Sequence, residues 1–344
     1  MTKGEAIVDI MNATGYDIAI SGNHEFDYGL ENFLELVGKA EYPYISCNFN
    51  KMGELVLPPY VIREFDGVKV GFVGVTAPLT IRDSAPRLLG LKNPATEAVA
   101  RAGELLDERM SATIASTEAA LVINEPGGKL RDGKPVRLIQ NTQTNLGDLC
   151  ADAYLDHFED ADVAIVNGSG IRSDIPSGAI TMNDIMRTLP YGTKLDLVKV
   201  TGQQLLDILE WSVHAMPEEF GGFEHVAGLT YEVDLAVPTP CVEDKQKMFV
   251  AVNEGMPRRV GNVRVGGEPI DAQAEYRLVT NDYILVDGDG FTMFRQADVL
   301  EESDAADSEA LLEYITVTLN SLVGEAYADP YGQGRMVTVG DQAG

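Results

Sequence analysis

The sequence predicts two folded parts: an α/β segment over residues 1–93 and a larger α+β domain over residues 118–340. A linker helix over residues 94–117 joins them. Two observations carry this prediction. Helical and strand-like patterns alternate up to about residue 90, and a second series of strands, glycine turns and amphipathic helices begins near residue 118 and runs to the end. A chain of 344 residues is long enough for two cores.

In the first part, residues 5–12 have helical periodicity. Residues 17–20 form a short apolar run that reads as a buried strand, and residues 30–40 return to a helical pattern. Residues 44–47 read as another short strand. Residues 59–64 and 68–75 read as a strand pair joined at Asp66-Gly67, a dipeptide suited to a tight turn. Residues 95–110 are helix-patterned. So few strands leave a sheet with an unpaired edge, which is open to self-association or to a partner chain.

In the second part, residues 145–158 form an amphipathic helix pattern and residues 163–166 a buried strand, followed by the glycine-rich turn Asn167-Gly168-Ser169-Gly170-Ile171-Arg172. A strand over 195–200 leads through Thr201-Gly202 into a helix over 203–214. A strand over 276–283 leads into the turn Asp287-Gly288-Asp289-Gly290-Phe291. A glycine-rich turn is a weak signal alone. Closing it with Arg172 is more informative, because a guanidinium forks onto phosphate or carboxylate oxygens.

Acidic residues outnumber basic ones 54 to 26, a formal charge of -28. That surface repels nucleic acid and anionic membranes, so neither is expected as a partner. It also repels a nucleotide phosphate, so a phosphate site here needs its own cations. The three cysteines, Cys47, Cys150 and Cys241, are widely spaced and suggest neither a disulfide framework nor a metal cluster. No run approaches the ~18 apolar residues of a membrane span. The start, Met1-Thr2-Lys3-Gly4, has no basic-then-apolar signal region, and the chain is expected to begin inside a domain.

The stretch with the most chemical content is Gly22-Asn23-His24-Glu25-Phe26-Asp27-Tyr28-Gly29, placed where a strand ends and a helix begins. Such loops at strand ends hold ligands in α/β folds. The Asn23 carboxamide oxygen suits a hard divalent cation, His24 can steady charge on a phosphoryl group, and Asp27 can orient its ring. With its lead-in Asn12-Ala13-Thr14-Gly15-Tyr16-Asp17, the octapeptide resembles the Gly-Asn-His-Glu block of calcineurin-like metallophosphoesterases, and more narrowly the 5′-nucleotidase family. The blocks of residues 118–340 resemble the C-terminal domain of the same family.

That resemblance implies a partial metallophosphoesterase sandwich followed by a 5′-nucleotidase C-terminal domain, and hydrolysis of nucleotide phosphomonoesters with divalent ions such as Mn²⁺ or Zn²⁺. It implies a catalytic dyad of His24 and Asp27 and a metal ligand in Asn23. It implies nucleotide contacts by Asn167 and Arg172, a base clamp of Tyr191 and Tyr283, and ribose binding by Asp289. It also implies a periplasmic, cell-surface or secreted location.

The departures are as specific as the match. The family's opening Asp-x-His and Gly-Asp blocks and its closing histidine blocks have no counterparts here, so the metal pair is not expected to assemble from this chain unaided. The alternatives are a non-catalytic nucleotide- or nucleoside-binding protein, or a fragment that needs a complementary chain. Gln140 and Gln143 stand where the family carries an arginine and a glutamate. This weakens phosphate binding unless Arg137 compensates. Asp287 stands where the family tends to have glycine, a position that asks for left-handed backbone.

Overall fold

The computed structural model describes residues 3–340 apart from 23, 52–53, 66–67, 77–109, 129 and 132–133. The chain divides into two compact units, Met1–Glu108 and Arg109–Gly344.

In the first unit, helix α1 (Glu5–Thr14) stops at Gly15, whose left-handed φ of 75° turns the chain out of the helix. Strand β1 (Ala19–Ile20) runs parallel to β2 (Tyr44–Ile45), with α2 (Leu30–Lys39) between them in sequence. Strands β3 (Tyr60–Phe65) and β4 (Val68–Val73) form the antiparallel pair that the sequence predicts, while Asp66 and Gly67 lie outside the described residues. An aromatic cluster holds this unit together: Phe26 packs on Phe33 and Phe49 with ring centroids 4.9 and 5.2 Å apart. One expectation is corrected. The run over 17–20 reads as buried, yet Ile20 is 51% exposed, because among the described residues β1 has a strand neighbour on one side only.

The second unit corrects the linker. Residues 94–109 lie outside the described residues, and the remainder of the expected helix is mostly strand β5 (Thr113–Thr117), which pairs with β7 (Gly178–Thr181) and with Leu322–Val323. A β-branched run such as Thr-Ile-Ala-Ser-Thr favours a pleated surface over a helix.

The main sheet of this unit has, among the described residues, five strands. They are β6 (Val163–Asn167), β8 (Lys194–Thr201), β9 (Glu224–Ala227), β10 (Glu275–Asn281) and β11 (Asp298–Ala306), in the spatial order β9-β6-β10-β8-β11. Strands β6 and β10 are parallel and the other neighbours antiparallel. Side chains alternate across β6. Ala164 and Val166 face α3 (Asn145–His157), packing with Leu149 and Tyr154, while Val163 and Ile165 face α5 (Gly202–Ser212), packing with Leu205, Ile208 and Trp211. Burial on both faces explains the unbroken apolar run. Each of the valines and the isoleucine contributes roughly 1.5–3 kcal/mol. Helices α3 and α5 begin at the side-chain caps Thr144 and Thr201. One edge strand, β11, carries Asp298, Glu301, Glu302 and Asp304, charges that oppose pairing with another chain.

Where β9 meets α3 there is no room for a side chain. A Cβ on Gly147 would lie 2.0 Å from Nδ1 of His225. His225 is buried, donates from Nε2 to the Ile139 carbonyl at 3.0 Å, and is pushed down to about 4 by burial. The fold therefore excludes the proton that the unfolded histidine takes up near its ordinary value of 6.5. The stability from this site is complete above pH 6.5 and is lost as pH falls from 6.5 towards 4, on the order of 3 kcal/mol in all. His225→Gln keeps a donor for Ile139. Between pH 7 and pH 4 its unfolding free energy should fall less steeply than that of the wild type, and parallel slopes would refute this role.

Candidate functional site

The site is built around the end of β6. Its last residue, Asn167, sits beside Asn281 at the end of β10, because the two strands run parallel (Val163 opposite Leu278, Ala164 opposite Val279). Asn281 Nδ2 donates to Asn167 Oδ1 at 3.0 Å, and Asn281 Oδ1 caps the short helix α6 (Asp282–Leu285) by accepting from the Ile284 amide at 3.1 Å. Directly after Asn167 the chain must pass close to other backbone. A Cβ on Gly168 would lie 1.9 Å from the Ile139 carbonyl oxygen, so the glycine there is a packing requirement. The Gly168 and Ser169 amides donate to the carbonyls of Phe223 and Gly221 at 2.8 and 2.9 Å.

Asp289 is the centre of the resulting polar network. Its Oδ2 accepts from Asn167 Nδ2 at 3.1 Å and from Ser169 Oγ at 3.0 Å, and its Oδ1 accepts from the Tyr283 hydroxyl at 3.2 Å. Its carbonyl accepts from the indole of the buried Trp211 at 3.0 Å, which ties the site to the core below. In front of this network opens a cavity of about 380 Å³ lined by Asn167, Ser169, Arg172, Tyr191 and Tyr283, with Thr193 and Asn281. Both tyrosine rings are accessible, Tyr191 at 63% and Tyr283 at 43%. Burial and the Asp289 carboxylate raise the Tyr283 phenol.

The structure thus brings Asn167, Arg172, Tyr191 and Tyr283 into one cavity and puts Asp289 in hydrogen-bond contact with two of them. The sequence pattern places Tyr283 on the strand, whereas it lies in the first turn of α6. Sequence reasoning missed Asn281, and it missed Ser169 as an individual contact although Ser169 lies in the quoted turn. Asn281 left a signal in the form of a cap residue opening the turn after an apolar strand.

Arg172 donates from Nη1 to the Ser169 carbonyl at 3.0 Å and is exposed. Arg137 approaches it. Burial, then the positive charge of Arg172, pull the Arg137 guanidinium down, and among the described residues its buried Nε has no hydrogen-bond partner. Gln143 is committed elsewhere, since its amide donates to both oxygens of Asp148 and accepts from the Met336 amide.

In the first unit His24 opens a turn, His24–Phe26, anchored by the buried Phe26. Its Nδ1 and Asp27 Oδ2 are 3.0 Å apart, both on exposed side chains, while Asn23 lies outside the described residues. Among the described residues no group of three His, Cys, Asp or Glu side chains converges as a metal site would require. The other histidines pack structurally: His157 bonds to Ser303, His214 stacks flat on Trp211, and His225 is buried.

The Tyr283 ring and its hydroxyl are separable. Tyr283→Phe keeps the ring and removes the bond to Asp289, while Tyr283→Ala removes both. If the ring is a stacking surface for a nucleoside, titration calorimetry with adenosine should show weakening of about three- to tenfold for the first and about ten- to hundredfold for the second. Equal affinity in both variants would show that the ring does not touch the ligand.

The family description "5′-nucleotidase, C-terminal domain" matches residues 124–296, half of the chain. The chain is 28% identical over 185 residues to the trifunctional nucleotide phosphoesterase protein YfkN of Bacillus subtilis, covering 52% of this chain and 12% of that protein. It is 28% identical over 193 residues to a 5′-nucleotidase of Vibrio parahaemolyticus, covering 56% and 30%. It therefore spans less than a third of the length of these bacterial relatives. Among solved structures, a 5′-nucleotidase precursor from Thermus thermophilus shares the fold, with a TM-score of 0.55 and 20% identity over 99% of this chain and 87% of that one. The chain belongs to the 5′-nucleotidase family.

Proposed function

We propose that this chain recognises a nucleoside 5′-phosphate in the cavity of its second unit, as part of the hydrolysis of nucleotide phosphomonoesters that its relatives' names describe. The observation that carries the reading is the meeting of Asn167, Arg172, Tyr191 and Tyr283 in one cavity backed by Asp289. Two tyrosine rings offer stacking faces for a base, worth roughly 1–3 kcal/mol per base. The Asp289 carboxylate, already oriented by three donors, has one lone-pair site left, on Oδ1, for a ribose hydroxyl. Arg172, with Arg137 close by, supplies positive charge for a phosphate on a protein of formal charge -28. In the hydrolytic step His24, oriented by Asp27 through Nδ1, would present its other ring nitrogen to the oxygen that leaves phosphorus.

In the family divalent cations such as Mn²⁺ or Zn²⁺ would activate the attacking water and polarise the phosphoryl group, and the described residues do not present a donor set that fits them. That observation favours a second reading for the chain on its own: binding without turnover, with hydrolysis restored by donors from a complementary chain.

Calorimetry and a phosphate-release assay separate the readings. Wild-type protein should bind AMP more tightly than adenosine, and Arg172→Ala should abolish that difference, a loss of about tenfold or more. AMP with added Mn²⁺ should release no phosphate above background. Release that disappears in His24→Ala would instead establish the chain as a hydrolase unaided, and failure to bind either ligand would overturn the recognition reading.

A further inference from the structure

The turn that carries Asp289 is held by a side chain outside the cavity. Asp287 and Asp289 have φ values of 70° and 48°, both in the left-handed region that non-glycine residues enter at a cost. Between them Gly288 packs so closely on Tyr283 that a Cβ would lie 2.3 Å from the Tyr283 carbonyl oxygen. The turn closes through Gly290 N–H to the Asp287 carbonyl at 3.0 Å and Phe291 N–H to the Gly288 carbonyl at 3.1 Å. A small rotation at Asp287 would therefore move Asp289 relative to Asn167, Ser169 and Tyr283 together.

Arg295 opposes that rotation. Its Nε donates to Asp287 Oδ1 and Oδ2 at 2.8 and 3.0 Å, and its Nη2 donates to Oδ2 at 2.7 Å, a two-pronged grip that fixes the carboxylate in orientation as well as position. Arg295 is itself mounted on the core. The segment Thr292–Gln296 follows the buried Phe291 and includes the buried Phe294, and Thr292 Oγ1 donates to the Phe249 carbonyl at 2.7 Å. The Arg295 side chain is 60% exposed, so the pair adds little to global stability, while the geometry of the turn bears directly on Asp289.

We propose that Arg295 is a positioning residue for nucleoside recognition: by gripping Asp287 it keeps the left-handed turn formed, so that Asp289 and Tyr283 meet the ribose and base already in place. This rests on the reading of the cavity as a nucleoside site. Adenosine carries no charge, so any electrostatic sensitivity of its binding comes from the protein rather than from the ligand.

The test is adenosine titration at low and high salt on wild type, Arg295→Ala, Arg295→Lys, Asp287→Gly and the double variant. Arg295→Ala should raise the Kd about three- to tenfold with the melting temperature nearly unchanged, and Arg295→Lys should recover part of the loss. Salt should weaken wild-type binding more than binding by Arg295→Ala. In the Asp287→Gly background, where glycine holds a positive φ unaided, Arg295→Ala should have no further effect. Wild-type affinity in Arg295→Ala, or an equal loss in both backgrounds, would overturn the proposal while leaving the cavity's reading intact. No adenosine binding by the wild type would overturn both.

Discussion

One carboxylate, Asp289, organises the second unit's cavity. Three donors from two parts of the chain converge on it: Asn167 at the end of β6 with Ser169 in the turn that follows, and Tyr283 on α6. Trp211 holds its backbone from below. A carboxylate fixed in this way is pre-oriented, and a ligand that donates to it loses little freedom on its account. The same network places the Tyr283 ring, because its hydroxyl bonds to the carboxylate that would meet the sugar. The carboxylate and the ring are therefore mechanically one feature. The close passage of Gly168 past Ile139 and the parallel pairing of β6 with β10 are what make the convergence possible.

Much of this is legible in the sequence. The glycine-rich turn ending in Arg172 is legible from its own residues, while Tyr191, Tyr283 and Asp289 are legible only through the family resemblance. Asn281 is legible as a cap, but its contact with Asn167 is not, since that depends on strand register between segments more than a hundred residues apart. Nor is β5. Its sequence is compatible with strand, but its partners at Gly178–Thr181 and Leu322–Val323 lie far along the chain, and the helical pattern before it hides where it starts. Ile20 shows the converse, since apolar character announces a strand but not whether a neighbour covers it.

The charge of the molecule sharpens the contrast between its two units. With 54 acidic and 26 basic side chains, any anion site depends on a few placed cations. In the second unit Arg172 and Arg137 are close enough for one to depress the other, an arrangement that an anion would relieve. In the first unit the His24–Asp27 pair is oriented and exposed, but the surrounding described residues do not add the clustered donors that a pair of cations needs. The second unit therefore has a formed polar cavity, and the first unit an oriented, exposed histidine–aspartate pair.

The most direct measurement is a crystal structure of the chain with AMP. The base should lie against the rings of Tyr191 and Tyr283, a ribose hydroxyl on the carboxylate of Asp289, and the phosphate towards Arg172. A nucleotide bound with its ribose away from Asp289, or seated outside this cavity, would contradict it.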